Sequence, residues 1–149
     1  MTHSDPMRTI ALRLGFLGLV PFAGLAAVAA LGEVEPARVA NSALLAYGAT
    51  ILSFLGGIHW GLALGRPALP QRDVLVMLGV GVLPQLLGWV ALLVPTPLGH
   101  GLCALGLALF LVPDRAAVAR GLAPVWFMHL RWPLSCAAAI AMTVGAVTA

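Results

Sequence analysis

Tyr47-Gly-Ala-Thr-Ile-Leu-Ser-Phe-Leu-Gly-Gly-Ile-His-Trp-Gly61 is the stretch that decides how this chain is read. It lies in an uncharged run that begins after Arg38 and ends before Arg66, longer than the roughly 20 residues needed to cross the hydrocarbon core of a bilayer. Within it stand a glycine series, a tyrosine, a tryptophan and His59, the one histidine placed inside the membrane. The stretch therefore predicts a transmembrane helix.

The whole chain agrees with that stretch. Of its 149 residues, 61% are hydrophobic and 9% are charged, and the mean hydropathy is +1.03, whereas a soluble domain carries about 25% charged residues. All eight basic residues are arginine and the formal net charge is only +3. These arginines flank apolar runs and form no patch that could track phosphates, which excludes nucleic acid as a partner. Cys103 and Cys136 stand singly in separate apolar runs, without metal-ligand or disulfide spacing.

Outward from the central stretch, turn residues divide the chain into five apolar segments. The expected helices cover about 10–31, 40–65, 74–94, 98–112 and 127–148 of a single membrane domain, 1–149, with a cytoplasmic interfacial segment at 114–126. The first contains Pro21 and Gly24 and is read as a retained helix, although small residues at Ala27 to Ala30 resemble a signal cleavage site. Pro36 suits the first turn of the second, Asp73 is an expected N-cap for the third, and Asp114 an expected cap with Gly121 as the stop. On this count Arg8, Arg13, Arg66, Arg72, Arg115, Arg120 and Arg131 fall on one side, and Arg38 alone falls on the other beside Glu33 and Glu35. Positive charge is retained on the cytoplasmic side, so the expected fold is an all-α integral membrane protein, a five-transmembrane-helix bundle with a cytoplasmic N-terminus and a periplasmic C-terminus.

The second segment is expected at the centre of the bundle. Gly57, Gly61 and Gly65 recur at four-residue spacing, close to Thr50 and Ser53 on one face, and small residues allow close helix packing in lipid. His59 projects from nearly the opposite side. An ionisable group inside lipid is a functional candidate by default; the competing reading makes His59 and Trp60 structural hydrogen-bond donors or interfacial anchors. A bis-histidine haem site lacks a second imidazole at the same depth, because His100 belongs to the opposite leaflet, His129 to the boundary and His3 to the N-terminal tail. Pro84 and Gln85 form a polar kink in the third segment. No acidic residue falls inside the expected segments, which argues against a carboxylate proton relay, and no hydrolase, metalloprotease or phosphate-loop motif is present. Asp114, Arg115, Arg120 and Arg131 are read as a cytoplasmic charge cluster with His59 near its floor, or as simple anchors.

The run Ala46 to Gly61, with its Phe-Leu-Gly-Gly-Ile-His-Trp-Gly ending, resembles the signature of the transmembrane protein 69-like family of bacterial and mitochondrial inner membranes. Pro124-Val-Trp-Phe-Met-His-Leu-Arg131, followed by Leu134-Ser135, resembles a second landmark of that family, with Phe127 where tyrosine is expected. The resemblance implies a fold and an inner-membrane location more than an activity, and the lack of an extended Arg- and Ser-rich presequence before the first helix points to the bacterial inner membrane. It directs attention to Tyr47, Ser53, His59, Trp60, Trp126 and Arg131, to which the kink adds Gln85 as a ligand-binding candidate.

The reading expected from the sequence is a non-catalytic accessory or assembly protein, associated through small-residue helix faces with itself or with another membrane protein, in the setting of an energy-transducing complex. The alternative is an intramembrane binder or carrier of a quinone, haem or lipid between the second, third and fifth segments near His59, Trp60 and Gln85. A homo-oligomeric channel or transporter is the third reading. No metal and no obligatory cofactor are expected.

Overall fold

A backbone in lipid has to satisfy its own polar groups, and among residues 6–149, which the computed structural model describes, it does so with seven helices and no strand. They are α1 (Pro6–Leu17), α2 (Leu19–Leu31), α3 (Val34–Leu64), α4 (Gln71–Leu93), α5 (Thr96–Leu109), α6 (Leu111–Ala119) and α7 (Trp126–Thr148). Two of the junctions are bends, so the seven helices make five stretches long and apolar enough to cross a membrane: Pro6–Leu31, Val34–Leu64, Gln71–Leu93, Thr96–Ala119 and Trp126–Thr148. His3 lies outside the described residues.

The bend between α1 and α2 falls at Gly18, one turn before Pro21, which has no N–H to give. The Tyr47 hydroxyl donates to the Gly18 carbonyl at 2.9 Å and its ring meets Phe22 edge-on, with centroids 4.8 Å apart. The bend between α5 and α6 falls at Phe110 (φ −70°, ψ −10°). There the reading from sequence needs correction. The fourth span does not stop near residue 112 but continues as α6, because Pro113 sits in the first turn of a helix, where its missing N–H leaves no intrahelical bond unmade. Asp114 is consequently not a cap, since Phe110 holds that position. Asp73 is not a cap either: α4 starts at Gln71 after Pro70, and the Asp73 carboxylate instead receives Arg120 Nη2 at 3.0 Å.

Gly121 does end α6 as expected. Its φ of +69° lets the Leu122 N–H reach the Ala117 carbonyl at 2.8 Å and its own N–H reach Val118 at 2.9 Å, the paired bonds of a Schellman stop. Arg66 Nη1 then donates to the Gly121 carbonyl at 3.0 Å, joining the turn after α3 to the turn after α6. A β-carbon at this φ costs about 1–2 kcal/mol. Gly121→Ala is expected to lower stability by about 1 kcal/mol, read as the midpoint of unfolding in mild detergent.

α3 lies against α2, α4, α5 and α7, so the longest helix is the one the others surround. Its closest approach is to α4, where Gly56 faces the Gly81 carbonyl and a β-carbon at Gly56 would also stand 3.0 Å from Pro84 Cγ. The glycine face expected to serve packing, Gly57, Gly61 and Gly65, is not the face used within this chain: no atom of another helix lies within 4 Å of where their β-carbons would be. The main apolar core includes Leu44, Leu52, Leu55, Cys103, Leu107, Phe110 and Met142. A second, smaller core of Ala63, Met77, Ala117, Leu122 and Ala123, with Phe127 against it, lies at the end of the bundle that carries the 65–70 and 120–125 turns.

Candidate functional site

Between those two cores runs a thin polar layer. His59 lies five residues before the end of α3 at Leu64, Asp114 five before the end of α6 at Ala119, and Arg131 five after the start of α7 at Trp126. At about 1.5 Å per residue all three sit about 7.5 Å inside the same end of the bundle. His59 has Leu55 of the main core one turn before it and Ala63 of the small core one turn after; Asp114 has Phe110 and Ala117 in the same relation. The layer is thus capped by apolar side chains on both sides.

The three side chains meet there. Arg131 Nε donates to Asp114 Oδ2 at 2.6 Å, and His59 Nε2 lies 3.0 Å from Asp114 Oδ1. An ionised carboxylate only accepts, so in a neutral imidazole Nε2 carries the proton. Residue exposures are 3% for His59, 1% for Asp114 and 4% for Arg131. Charges almost never become this buried unless paired, and here a third partner supports the pair. Asp114 stands in the first turn of α6, where the helix dipole favours a negative charge. Phe110 closes the other side of His59, edge to ring with centroids 5.1 Å apart.

The expectation that no carboxylate enters a membrane span is overturned by Asp114, which lies within Thr96–Ala119. Arg131, expected at the interface, is likewise inside the bundle. Arg115 and Arg120, expected to share the cluster, are exposed. The association of Asp114, Arg131 and His59 was legible as a cluster at one end of the bundle, but its burial was not.

Arg131 also opens onto a crevice of about 580 Å³ between α1, α2, α3 and α7. Its walls include Leu14, Phe22, Phe54, Trp126, Phe127 and Leu134, and Arg131 and Ser135 are its polar members. Arg131 Nη2 and Ser135 Oγ are both buried without a hydrogen-bond partner. A buried polar group left in that state costs about 1–3 kcal/mol. The two residues are four apart on α7 and therefore neighbours on one helix face.

The other candidates fall elsewhere. Tyr47 is engaged at the α1–α2 bend, and Ser53 Oγ donates within its own helix to the Ala49 carbonyl at 3.2 Å. Trp60 Nε1 donates to the Leu78 carbonyl at 3.0 Å, pinning α3 to α4. Gln85 is exposed. Neither Trp60 nor Gln85 borders the crevice, so the cavity lies beside the first, second and fifth spans and not between the second, third and fifth. Trp126 does line it. Ser135 is missed as a binding candidate in the sequence, although a serine one helical turn after an arginine is an available signal.

His100 occupies the opposite end of the bundle, fully buried, where Gly145 leaves room for its ring: a β-carbon there would be 2.5 Å from His100 Cε1. It cannot share a ligand with His59. Among the described residues no group of three His, Cys, Asp or Glu could hold a metal ion.

Comparison with known proteins agrees with this architecture. The family model described as "Protein of unknown function (DUF3429)" matches residues 7–147. Transmembrane protein 69 of Xenopus tropicalis is 35% identical over 134 residues, 89% of this chain and 51% of the relative. Transmembrane protein 69 of Mus musculus is 31% identical over 129 residues, 81% of this chain and 49% of the relative. The chain spans about half the length of these curated relatives. No solved structure matches it.

Proposed function

On the premise that this chain belongs to the DUF3429 family of transmembrane protein 69-like, multi-pass membrane proteins, we propose that it binds a lipophilic small molecule within the membrane. The observation that carries this reading is the crevice of about 580 Å³ lined by Arg131 and Ser135, whose Nη2 and Oγ are buried without a partner. Ligand sites have this form: largely apolar walls, a few convergent polar groups, and volumes of about 300–1,000 Å³. The exposed positions of Leu14 and Phe54 at its edge favour entry from lipid. The arginine-rich end favours a cytoplasmic N-terminus.

A second reading, the non-catalytic accessory subunit, is favoured by the open glycine face at Gly57 and Gly61, which this chain's own helices leave uncovered. One preparation separates the two. Protein purified gently from native membranes is expected to release a small lipophilic molecule at near-stoichiometric amount, detected by mass spectrometry of the organic extract. Ala11→Phe, which fills the crevice from α1, is expected to lose it while keeping the melting temperature. A ligand-free wild type in a defined complex with another membrane protein overturns the binding reading in favour of the accessory one.

A further inference from the structure

Resting on the binding reading above, we propose that the crevice selects an uncharged, planar carbonyl compound with an apolar tail, a lipid-soluble quinone, and that Arg131 Nη2 and Ser135 Oγ hold its carbonyl oxygen. A guanidinium has donors and no acceptor, and a serine hydroxyl donates one hydrogen. Both atoms are buried without a partner, and both residues line the crevice. The missing partner is therefore an acceptor, which an acyl chain lying in the crevice does not supply.

Charge separates the classes of acceptor. Asp114 already takes the Nε–H of Arg131 at 2.6 Å, so the one cation that lines the crevice is matched by a carboxylate of its own. A fatty carboxylate or a phosphate would bring a second anion to a guanidinium that Asp114 already neutralises, and an uncompensated buried charge is strongly disfavoured. A carbonyl oxygen accepts both hydrogen bonds and adds no charge. Among the described residues Arg131 is the charged side chain that lines the crevice, with Asp114 of α6 and His59 of α3 bonded in sequence behind it.

The walls separate carbonyl compounds from one another. Phe22, Phe54, Trp126 and Phe127 all line the crevice, and aromatic rings prefer offset or edge-to-face contact with another π system. A conjugated ring fits such walls better than a flexible ester. The remaining lining, from Leu14, Leu19 and Ile51, is suited to the tail. Only binding is proposed; no electron or proton transfer is assigned to the residues.

The test is a titration of the full chain in phosphatidylcholine nanodiscs, read by intrinsic tryptophan fluorescence, with decylubiquinone in one arm and oleate in the other. Trp126→Phe identifies the quenching that arises in the crevice. Decylubiquinone is expected to quench saturably at about one per chain, and oleate is expected neither to bind nor to compete. Ser135→Ala, which removes one neutral hydrogen bond to the ligand, is expected to weaken quinone binding about 5-fold while the ligand-free melting temperature stays at or above that of wild type, and Ala11→Phe to abolish binding without touching either polar group. Saturable oleate binding with no quinone binding overturns the quinone class and leaves the binding reading standing. Quinone binding that Ser135→Ala leaves unaltered overturns the placement of the carbonyl. If neither compound binds and the native extract is empty, both readings fall together.

Discussion

Asp114→Ala is expected to destabilise the protein by about 3–5 kcal/mol, because it removes one partner of a buried pair and leaves the other charged. Arg131, 4% exposed, would then be a buried cation without its carboxylate. His59 loses its acceptor in the same step. The measurement is an unfolding titration in mixed detergent micelles, followed by the far-ultraviolet helical signal. The paired experiment replaces the whole layer, His59→Leu, Asp114→Leu and Arg131→Met together. Apolar replacement of a complete buried cluster is commonly neutral or stabilising, so this triple variant is expected to recover most of what Asp114→Ala loses while failing to hold the lipophilic ligand. A wild-type midpoint for Asp114→Ala would mean that the carboxylate does not hold Arg131 inside the bundle.

Gly56→Ala is expected to cost about 3 kcal/mol, at the upper end of what overpacking in a dense interior costs. The added methyl points into the Gly81 backbone and stands 3.0 Å from Pro84 Cγ, and neither obstacle is the free end of a flexible side chain. α3 and α4 would have to separate, loosening the Trp60 bond to Leu78. Gly57→Ala is the control, one residue away, with nothing within 4 Å. It is expected to lie within about 0.5 kcal/mol of wild type, as surface substitutions usually do. Midpoints of thermal unfolding for the two variants decide the matter, and equal midpoints would contradict the α3–α4 contact. A co-purifying partner lost in Gly57→Ala, with the fold intact, would instead support the accessory reading.

Sequence by itself determined the number of spans, the turns between them and the membrane class, because these follow from how many apolar residues stand between charges and turn formers. It also placed His59 and Arg131 near one end, since rise per residue converts position along a helix into depth. It marked Gly121 as a stop, because a residue with positive φ is so often glycine. Tertiary structure alone decided which side chains meet at that depth. His59 and Asp114 are 55 positions apart and Arg131 is 17 from Asp114, and nothing in a helical period says which faces of two separate helices will turn toward each other. The same limit explains the glycines: spacing marked Gly57, Gly61 and Gly65 as a face, but the approach of α4 selected Gly56. Asp114 was the largest departure, since Pro113-Asp114-Arg115 has the composition of a turn. It is helix only because the chain bends at Phe110 and restarts, and it is buried only because α7 brings Arg131 to neutralise it and α3 brings His59 to hydrogen-bond its other oxygen. The crevice, too, exists only between helices, and with it the two donors, Arg131 and Ser135, that the fold leaves waiting for an acceptor.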